Sequence, residues 1–177
     1  MGTPGATLDL RDRVRDVPDF PKPGIVFKDL MPLVADPAYF RETIGRLEAI
    51  ARPLEPDIIL GAEARGFIFG GALADRLGCG FVPARKPGKL PWATVEATYE
   101  LEYGTDSLQV HSDALGQGSR VIVHDDVLAT GGTAKAKTEL VEKLGGEVVG
   151  LLFVVELAFL NGRDKLAGYD VESLITY

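Results

Sequence analysis

The sequence predicts an α/β fold in which helices flank a mostly parallel central sheet. Short apolar segments that suit buried strands alternate along the chain with segments whose apolar residues recur at helical spacing. The 177 residues show neither an internal repeat nor a linker, so a single domain spanning 1–177 is expected. Ligands of such sheets bind at the carboxyl ends of the strands. Residues that follow predicted strands are therefore the first candidates for function.

Local patterns place the individual elements. The apolar residues from Leu8 to Val17 predict a short opening helix, and Asp36 followed by Pro37 marks the start of a longer one. Further helices are predicted at 67–77 and 133–144, a helical turn at 159–166, and strands at 25–27, 57–60, 79–84, 120–124, 147–155 and 171–175. Two partly alternating runs on either side of Tyr103–Asp106 predict a hairpin or an extended ribbon within 93–111.

The charge balance argues against nucleic acid as a partner. Lysine and arginine number 19 against 26 aspartate and glutamate residues, a net charge of −7, whereas a nucleic-acid binder usually carries a basic surface. Positive charge is concentrated in 63–91, where five basic residues stand against two acidic ones. An acidic protein with one basic island suits a small anionic ligand.

The sequence carries no recognisable signal for export or membrane insertion. No apolar stretch approaches the roughly 20 residues that a membrane span needs, and residues 1–10 lack the pattern of a secretory signal. Cys79 is the single cysteine, which excludes an internal disulfide, and two scattered histidines offer little for zinc. We therefore expect a cytoplasmic protein with no membrane partner.

Segment 121–133 is the most informative part of the sequence. A predicted strand brings the adjacent carboxylates of Asp125 and Asp126 to the carboxyl edge of the sheet, and the next helix is predicted to begin at Thr133. The loop before that helix contains two glycines, which permit close backbone approach. Its N–H groups, its hydroxyls and the helix N-terminus make a good phosphate cradle. The residues of this cradle are Ala129, Thr130, Gly131, Gly132 and Thr133.

Two carboxylates beside a phosphate would repel it unless a group between them accommodates both charges. A sugar diol that donates hydrogen bonds to Asp125 and Asp126 meets this requirement, so a ribose 5-phosphate fits the segment. The alternative interpretation is a pair of helix-capping aspartates in an ordinary turn between a strand and a helix. The complete pattern of strand, Asp pair, glycine loop and helix favours the functional interpretation.

Residues 121–133 resemble the phosphoribosyl-pyrophosphate (PRPP) signature of the type I phosphoribosyltransferases. Four further segments, 20–30, 63–67, 85–91 and 99–104, are similar to the members of that family that use adenine, in the same order and at similar spacing. The resemblance therefore covers nearly the whole chain. It implies the fold of that family, with a small N-terminal hood at about 18–34 and a flexible β-ribbon lid at about 85–111.

The resemblance implies a glycosyltransferase that moves the 5-phosphoribosyl group from PRPP to adenine, giving AMP and pyrophosphate in purine salvage. PRPP normally travels as its magnesium complex in this family, so Mg²⁺ is the expected cofactor and no metal cage made only of protein groups is expected. The family is usually homodimeric. Two alternatives stay open: the base is hypoxanthine, guanine or xanthine, or the chain is a PRPP-sensing regulator, which should carry a basic nucleic-acid-binding surface.

The same resemblance implies a pyrophosphate site on the basic island. Glu63–Gly66 matches the family's pyrophosphate loop, and the planar guanidinium of Arg65 suits catalytic stabilisation of the leaving pyrophosphate. The other residues implied for this anion site are Arg85, Lys86 and Lys89. The competing interpretation of each of these cations is a solvated surface charge.

The lid and the hood are implied to serve the base. Glu102 matches the family's glutamate that exchanges a proton with the purine ring, whereas Glu100, on the same face of the ribbon, is expected to be an exposed carboxylate. Tyr103 would help to close the lid and exclude water. In the hood, the backbone groups of Val26 and Lys28 and the ring of Phe27 would hold adenine. The alternative for Phe27 is packing in the core.

Overall fold

Strands and helices are distributed over two compact units of the chain, Met1–Arg46 and Leu47–Tyr177. The computed structural model describes residues 8–100 and 104–177. The first unit contains a 3-10 helix at Leu10–Arg13, β1 at Arg15–Pro18, β2 at Val26–Asp29 and α1 at Met31–Ala35, and α2 at Pro37–Ala51 runs across the unit boundary. The second contains β3 at Ile58–Ala62, α3 at Arg65–Leu77, β4 at Gly80–Ala84, β5 at Thr94–Glu100, β6 at Thr105–His111, β7 at Arg120–Leu128, α4 at Gly132–Lys143, β8 at Glu147–Glu156 and β9 at Val171–Thr176.

A five-stranded sheet in the order β4-β3-β7-β8-β9, with every neighbouring pair parallel, organises the second unit. α3 leads from β3 to β4, whereas α4 leads from β7 in the opposite direction to β8. The strand order therefore reverses between β3 and β7, and a ligand crevice is expected outside the carboxyl ends of these two strands. The predicted α/β fold with a parallel central sheet is confirmed.

The middle strands of this sheet are buried on both faces, which explains their continuous apolar runs. In β7, Val121, Ile122 and Val123 are fully buried, as is the run 151–155 in β8. A parallel sheet covered on both faces selects such runs over an alternating pattern. The large apolar side chains that α3 and α4 bury completely include Phe69, Leu73, Leu140 and Val141.

Helix boundaries follow local capping. Asp36 precedes α2, and its Oδ1 accepts hydrogen bonds from the amides of Ala38 at 3.0 Å and Tyr39 at 3.4 Å, as an N-cap does. α3 ends at Gly78, whose φ of +73° lies in the left-handed region that favours glycine. The predicted helices over these segments are confirmed, although α3 begins at Arg65 and not at residue 67.

The predicted opening helix is wrong over most of its length. A 3-10 helix covers only Leu10–Arg13, and β1 follows it and pairs antiparallel with β2, with Arg15 opposite Asp29. The Arg15 guanidinium also reaches the Asp29 carboxylate, with Nη2 2.6 Å from Oδ2. These contacts with a later segment stabilise an extended backbone, and helical spacing within one segment cannot reveal them.

β5 and β6 form the predicted ribbon. They pair antiparallel from Thr94 opposite His111 to Glu100 opposite Thr105. The predicted turn began at Tyr103 and ended at Asp106, but β6 already starts at Thr105, so Asp106 is a strand residue. Residues 101–103 lie outside the described part of the chain.

β7 extends past its predicted end at His124 and reaches Leu128, which pairs with Glu156 of β8. Asp125 and Asp126 consequently lie within the strand, and their side chains point to opposite faces of the sheet. The prediction ended too early because carboxylates rarely occupy a buried strand unless other residues compensate their charge. Such compensation is present here and is described below.

The adjacent glycines Gly70 and Gly71 of α3 should respond in opposite ways to alanine. A Cβ on Gly70 would lie 2.7 Å from Phe81 Cε2, so Gly70→Ala must displace that ring and should lower the free energy of unfolding by about 1–3 kcal/mol. Among the described residues, nothing lies within 4 Å of a Cβ on Gly71, so Gly71→Ala should raise it by about 0.5–1 kcal/mol. Urea unfolding measures both effects, and equal effects would contradict the packing of α3 against β4.

Candidate functional site

Charged side chains meet at the crevice between the carboxyl ends of β3 and β7. Arg65 is the first residue of α3, which follows β3, and Asp126 lies near the end of β7. Arg65 Nε is 2.6 Å from Asp126 Oδ2, an ion pair that links the two strand ends. The Asp126 side chain is only 6% exposed, whereas 39% of the Arg65 side chain faces solvent. Arg65 can therefore contact both the buried carboxylate and a ligand in the crevice.

The Asp125 carboxylate is held on several sides. Lys137 of α4 donates a hydrogen bond from Nζ to Asp125 Oδ2 at 2.7 Å, and the amide of Asp126 donates to Asp125 Oδ1 at 3.0 Å. A Cβ on Gly66 would lie 2.7 Å from Asp125 Oδ1, so only glycine fits at that position beside the carboxylate. Asp125 therefore has one favoured orientation.

Burial and like charge act together on Asp126. The pKa of Asp126 is raised to about 7, chiefly by burial and also by the negative charge of Asp125, while Arg65 and Lys137 oppose the rise. A carboxyl group with a raised pKa has lost more hydration than it has gained in charge stabilisation. A donor that enters the crevice and hydrogen-bonds to Asp126 would supply what the folded protein lacks.

The glycine-rich loop before α4 is shaped by one close backbone approach. Gly131 is the N-cap of α4 with φ +80°, and a Cβ there would lie 2.3 Å from the carbonyl oxygen of Gly162. Among the described residues, none accepts a hydrogen bond from the backbone amides of Thr130, Gly131, Gly132 or Thr133. These amides and the positive end of α4 lie where the sequence predicted the phosphate cradle, and their role in binding an anion stays a prediction.

Two carboxylates hold the cations that were predicted for a pyrophosphate site. Glu63 accepts a hydrogen bond from the amide of Lys86 at 2.7 Å, and Arg85 Nε lies 3.3 Å from its Oε1. Lys86 Nζ lies 3.0 Å from Asp106 Oδ2, and this contact raises the pKa of Lys86 and lowers that of Asp106. The peptide bond between Glu63 and Ala64 is cis.

The ribbon contacts the glycine-rich loop through Tyr99. Its hydroxyl donates to Asp106 Oδ2 at 3.3 Å, and burial raises the pKa of Tyr99 while a hydrogen bond with Thr133 opposes that rise. A Cβ on Gly132 would lie 3.3 Å from Tyr99 Cδ2. The Asp106 carboxylate thus contacts both Lys86 and Tyr99. Tyr99 in turn contacts Thr133, where the phosphate-binding helix was predicted to begin.

The sequence also predicted six other site residues. Glu102 and Tyr103 lie outside the described residues. Val26, Phe27 and Lys28 form most of β2 in the first unit, where the rings of Phe27 and Phe20 are 5.3 Å apart and Lys28 Nζ is 2.7 Å from Asp16 Oδ1. The Lys89 side chain is exposed, and its carbonyl oxygen accepts a hydrogen bond from Arg85 at 3.2 Å. The proposed roles of these residues stay predictions.

Sequence reasoning missed Lys137, which contacts the acidic pair directly. A signal for it exists, because Lys137 shares a helix face with Ala134 and Val141 at spacings of three and four residues. Both neighbours are buried, so the pattern places a lysine on the apolar face of the helix. A charged residue on such a face requires a buried partner of opposite charge, and the preceding strand ends with two aspartates.

Residues 8–100 and 104–177 contain no group of three or more His, Cys, Asp or Glu side chains placed to hold a metal ion. Within the same residues, no helix has the length and apolar character to cross a bilayer.

Comparisons with known proteins point in one direction. The phosphoribosyl transferase domain family matches residues 39–173. An adenine phosphoribosyltransferase of Kosmotoga olearia is 54% identical over 170 residues, which cover 96% of this chain and 100% of that protein. The crystal structure of the Thermoanaerobacter pseudethanolicus adenine phosphoribosyltransferase is 53% identical with a TM-score of 0.93, covering 95% of this chain and 98% of that one. The Saccharomyces cerevisiae enzyme, solved with an imino-altritol bisphosphate and adenine, is 43% identical with a TM-score of 0.90, covering 93% and 96%.

Replacing Asp126 should change how stability depends on pH. Because the pKa of Asp126 is about 7 in the fold and ordinarily 3.8, the folded state retains a proton that the unfolded chain has released between these pH values. Wild-type stability therefore loses the Asp126 contribution as pH rises through that window. The free energy of unfolding of Asp126→Asn minus that of the wild type should increase from pH 4 to pH 7. Urea unfolding at several pH values measures this difference.

The difference between the two proteins isolates Asp126. His124 is fully buried and burial lowers its pKa to about 4, so it also titrates in this range, but it is present in both proteins. Its effect cancels in the comparison. A difference in free energy of unfolding that stays constant across the pH range would contradict the raised pKa of the buried Asp126.

Proposed function

The chain belongs to the phosphoribosyl transferase family, among its adenine phosphoribosyltransferases, and from that premise we propose how its residues perform the reaction. The enzyme transfers the 5-phosphoribosyl group of PRPP to adenine, which gives AMP and pyrophosphate. The observation that carries the residue assignment is the crevice between β3 and β7. Arg65 and the acidic pair meet there with the amides of the 130–133 loop, which bond to no acceptor in the described part of the chain.

The ribose 5-phosphate end of PRPP is proposed to bind along β7 and the start of α4. Backbone amides of Thr130–Thr133 and the positive end of the helix hold the 5′-phosphate, and the Ala129–Thr133 loop closes around it. The 2′- and 3′-hydroxyls donate to the carboxylates of Asp125 and Asp126. A diol donor at Asp126 supplies the stabilisation that its raised pKa shows to be lacking.

Leaving-group stabilisation is assigned to the basic island. A guanidinium carries five N–H donors, enough for Arg65 to contact Asp126 and the diphosphate together. Arg85 and Lys86, which hold Glu63 and Asp106, and the exposed Lys89 complete the anion site. As the bond between C1′ and the diphosphate oxygen breaks, negative charge grows on that oxygen, and fixed cations stabilise it more than they stabilise the bound substrate.

Proton transfer and recognition of the base are assigned to the lid and the hood. Adenine N9 forms the new bond to C1′ as the diphosphate leaves with its bonding electron pair, and Glu102 accepts the proton that the imidazole ring must lose. Tyr103 helps the lid of 85–111 to exclude water. In the hood of 18–34, the backbone of Val26 and Lys28 and the ring of Phe27 hold adenine. The yeast relative binds adenine, which supports this base for the present chain.

Magnesium, the partner subunit and the location complete the proposal. Mg²⁺ prefers phosphate oxygens and water over cages made only of protein groups, so it enters as part of the PRPP complex. The donor set near the crevice fits this, because Asp125 and Asp126 each already contact a protein cation. We propose a homodimer that works in the cytoplasm as one catalytic domain per chain.

An assay with four purines tests the base assignment. The enzyme with magnesium and PRPP should release pyrophosphate far faster with adenine than with hypoxanthine, guanine or xanthine. The physical reason is that a backbone donor–acceptor pair matched to an exocyclic amine leaves buried groups unpaired when an oxo group replaces it, which gives discrimination of about 10⁴ or more. Equal rates with any 6-oxopurine would overturn the assignment of adenine.

Glu102 can be separated from its neighbour on the same ribbon. Glu102→Gln should lower kcat by roughly 10²–10⁴-fold, because the amide cannot accept the purine proton. The matched control is Glu100→Gln, which makes the same change at an exposed position of β5. Steady-state kinetics with adenine and PRPP measure both variants. A loss of less than about tenfold for Glu102→Gln would reduce Glu102 to a positioning role.

A further inference from the structure

Lys137 is a fully buried cation to which the proposed reaction assigns no role. Its side chain is 0% exposed, and Nζ donates to Asp125 Oδ2 and to the carbonyl oxygen of His124, both at 2.7 Å. Lysine is almost never fully buried unless it is paired, because removing an ammonium from water is unfavourable. Among the described residues, the partners of this buried charge on α4 both lie on β7.

The acidic pair has one cation on each side. Asp125 contacts Lys137 from α4, whereas Asp126 contacts Arg65 from the start of α3. These two cations differ in exposure, because Arg65 is partly solvated and can turn toward a ligand, while Lys137 is enclosed. Lys137 is therefore a permanent part of the fold.

Asp125 has little freedom while Lys137 is present. Oδ2 is fixed by Lys137 and Oδ1 by the amide of Asp126, and Gly66 packs beside Oδ1. Each carboxylate oxygen can accept a second hydrogen bond, so this arrangement orients Asp125 without blocking it. Removal of the ammonium would leave two adjacent carboxylates with one cation between them, and Asp125 could rotate away from the crevice.

We propose that Lys137 is a positioning residue for PRPP, which acts through Asp125 and holds the acidic pair in the arrangement that binds the ribose diol. This inference rests on the proposed function. Lys137 does not touch the substrate. It determines the orientation and the net charge of the carboxylates that do.

Among the described residues, two cations and one histidine lie beside the acidic pair, which makes a pH readout interpretable. They are Arg65 from α3, Lys137 from α4 and the buried His124 on β7 itself. The residues opposite this part of β7 are uncharged, with Gly61 of β3 beside His124 and Phe153 of β8 beside Asp125. Because Lys137 opposes the rise in the pKa of Asp126, its removal should move the acid limb of kcat/KM for PRPP to higher pH.

The primary experiment compares Lys137→Met with Lys135→Met. Methionine keeps the length of the side chain and removes the charge. Lys135 is two residues away on α4, and its Nζ lies 5.6 Å from the centre of the Tyr169 ring. Lys137→Met should raise KM for magnesium–PRPP about 10–100-fold with a much smaller change in kcat, a size typical for loss of a supporting partner. Its acid limb should move up by about one pH unit, whereas Lys135→Met should change neither quantity.

A double-variant cycle shows whether Lys137 acts through Asp125. Asp125→Asn alone should raise KM for PRPP by about tenfold or more, and adding Lys137→Met to it should raise KM by less than about twofold further. The double variant removes both charges of the buried pair, so it avoids the unpaired charge that could unfold Lys137→Met. Should the single lysine variant fail to fold, Asp125→Asn and the double variant decide the question.

The outcomes separate this inference from the proposed function. A folded Lys137→Met enzyme with wild-type KM and an unmoved acid limb overturns the inference, as does wild-type KM in Asp125→Asn or a further large rise in the double variant. A wild-type enzyme that transfers phosphoribosyl to no purine overturns the proposed function instead. A merely structural role of Lys137 would lower the urea midpoint without changing KM or the pH profile of the folded enzyme.

Discussion

Charge compensation at the end of β7 is the constraint on which the site depends. Adjacent carboxylates in a buried strand repel each other and have lost most of their hydration, so each requires a cation. A strand sends successive side chains to opposite faces, and here one cation comes from α3 and the other from α4. The strand order reverses between β3 and β7, so the helices that follow these two strands, α3 and α4, begin on opposite sides of the end of β7. The topology of the sheet therefore supplies the two cations that the acidic pair requires.

The sequence allowed prediction of the parts of the site that are local along the chain. Strand, acidic pair, glycine loop and helix follow one another within 121–133, so the parallel sheet and the place of Asp125 and Asp126 at its edge could be inferred. What escaped prediction depends on contacts between distant segments. β1 is extended because it pairs with β2, and β7 continues to Leu128 because it pairs with β8. Lys137 finds Asp125 only after α4 has packed on the sheet.

His124 shows how closely the core and the acidic pair are coupled. It is fully buried next to Asp125, its ring centroid lies 6.3 Å from that of Phe69, and burial lowers its pKa to about 4. The side chain is therefore neutral at physiological pH and packs as an aromatic residue. A charged imidazole here would add a third cation beside two carboxylates that already have one each. Burial thus keeps the number of charges at the strand end fixed.

Three of the cations assigned to the substrate contact protein carboxylates, so PRPP binding must rearrange contacts that these cations already make. Arg85 contacts Glu63 and Lys86 contacts Asp106 in partly exposed ion pairs worth about 0–1 kcal/mol each, whereas Arg65 contacts the buried Asp126. On the proposed function, PRPP exchanges the two exposed pairs for contacts with a diphosphate of higher charge density, while Arg65 keeps Asp126 and adds the diphosphate. Asp106 lies on the ribbon beside Tyr99, so moving Lys86 from Asp106 to the diphosphate alters the contact between ribbon and basic island. On the proposed function, anion binding and the altered contact of the ribbon are then consequences of the same ion exchange.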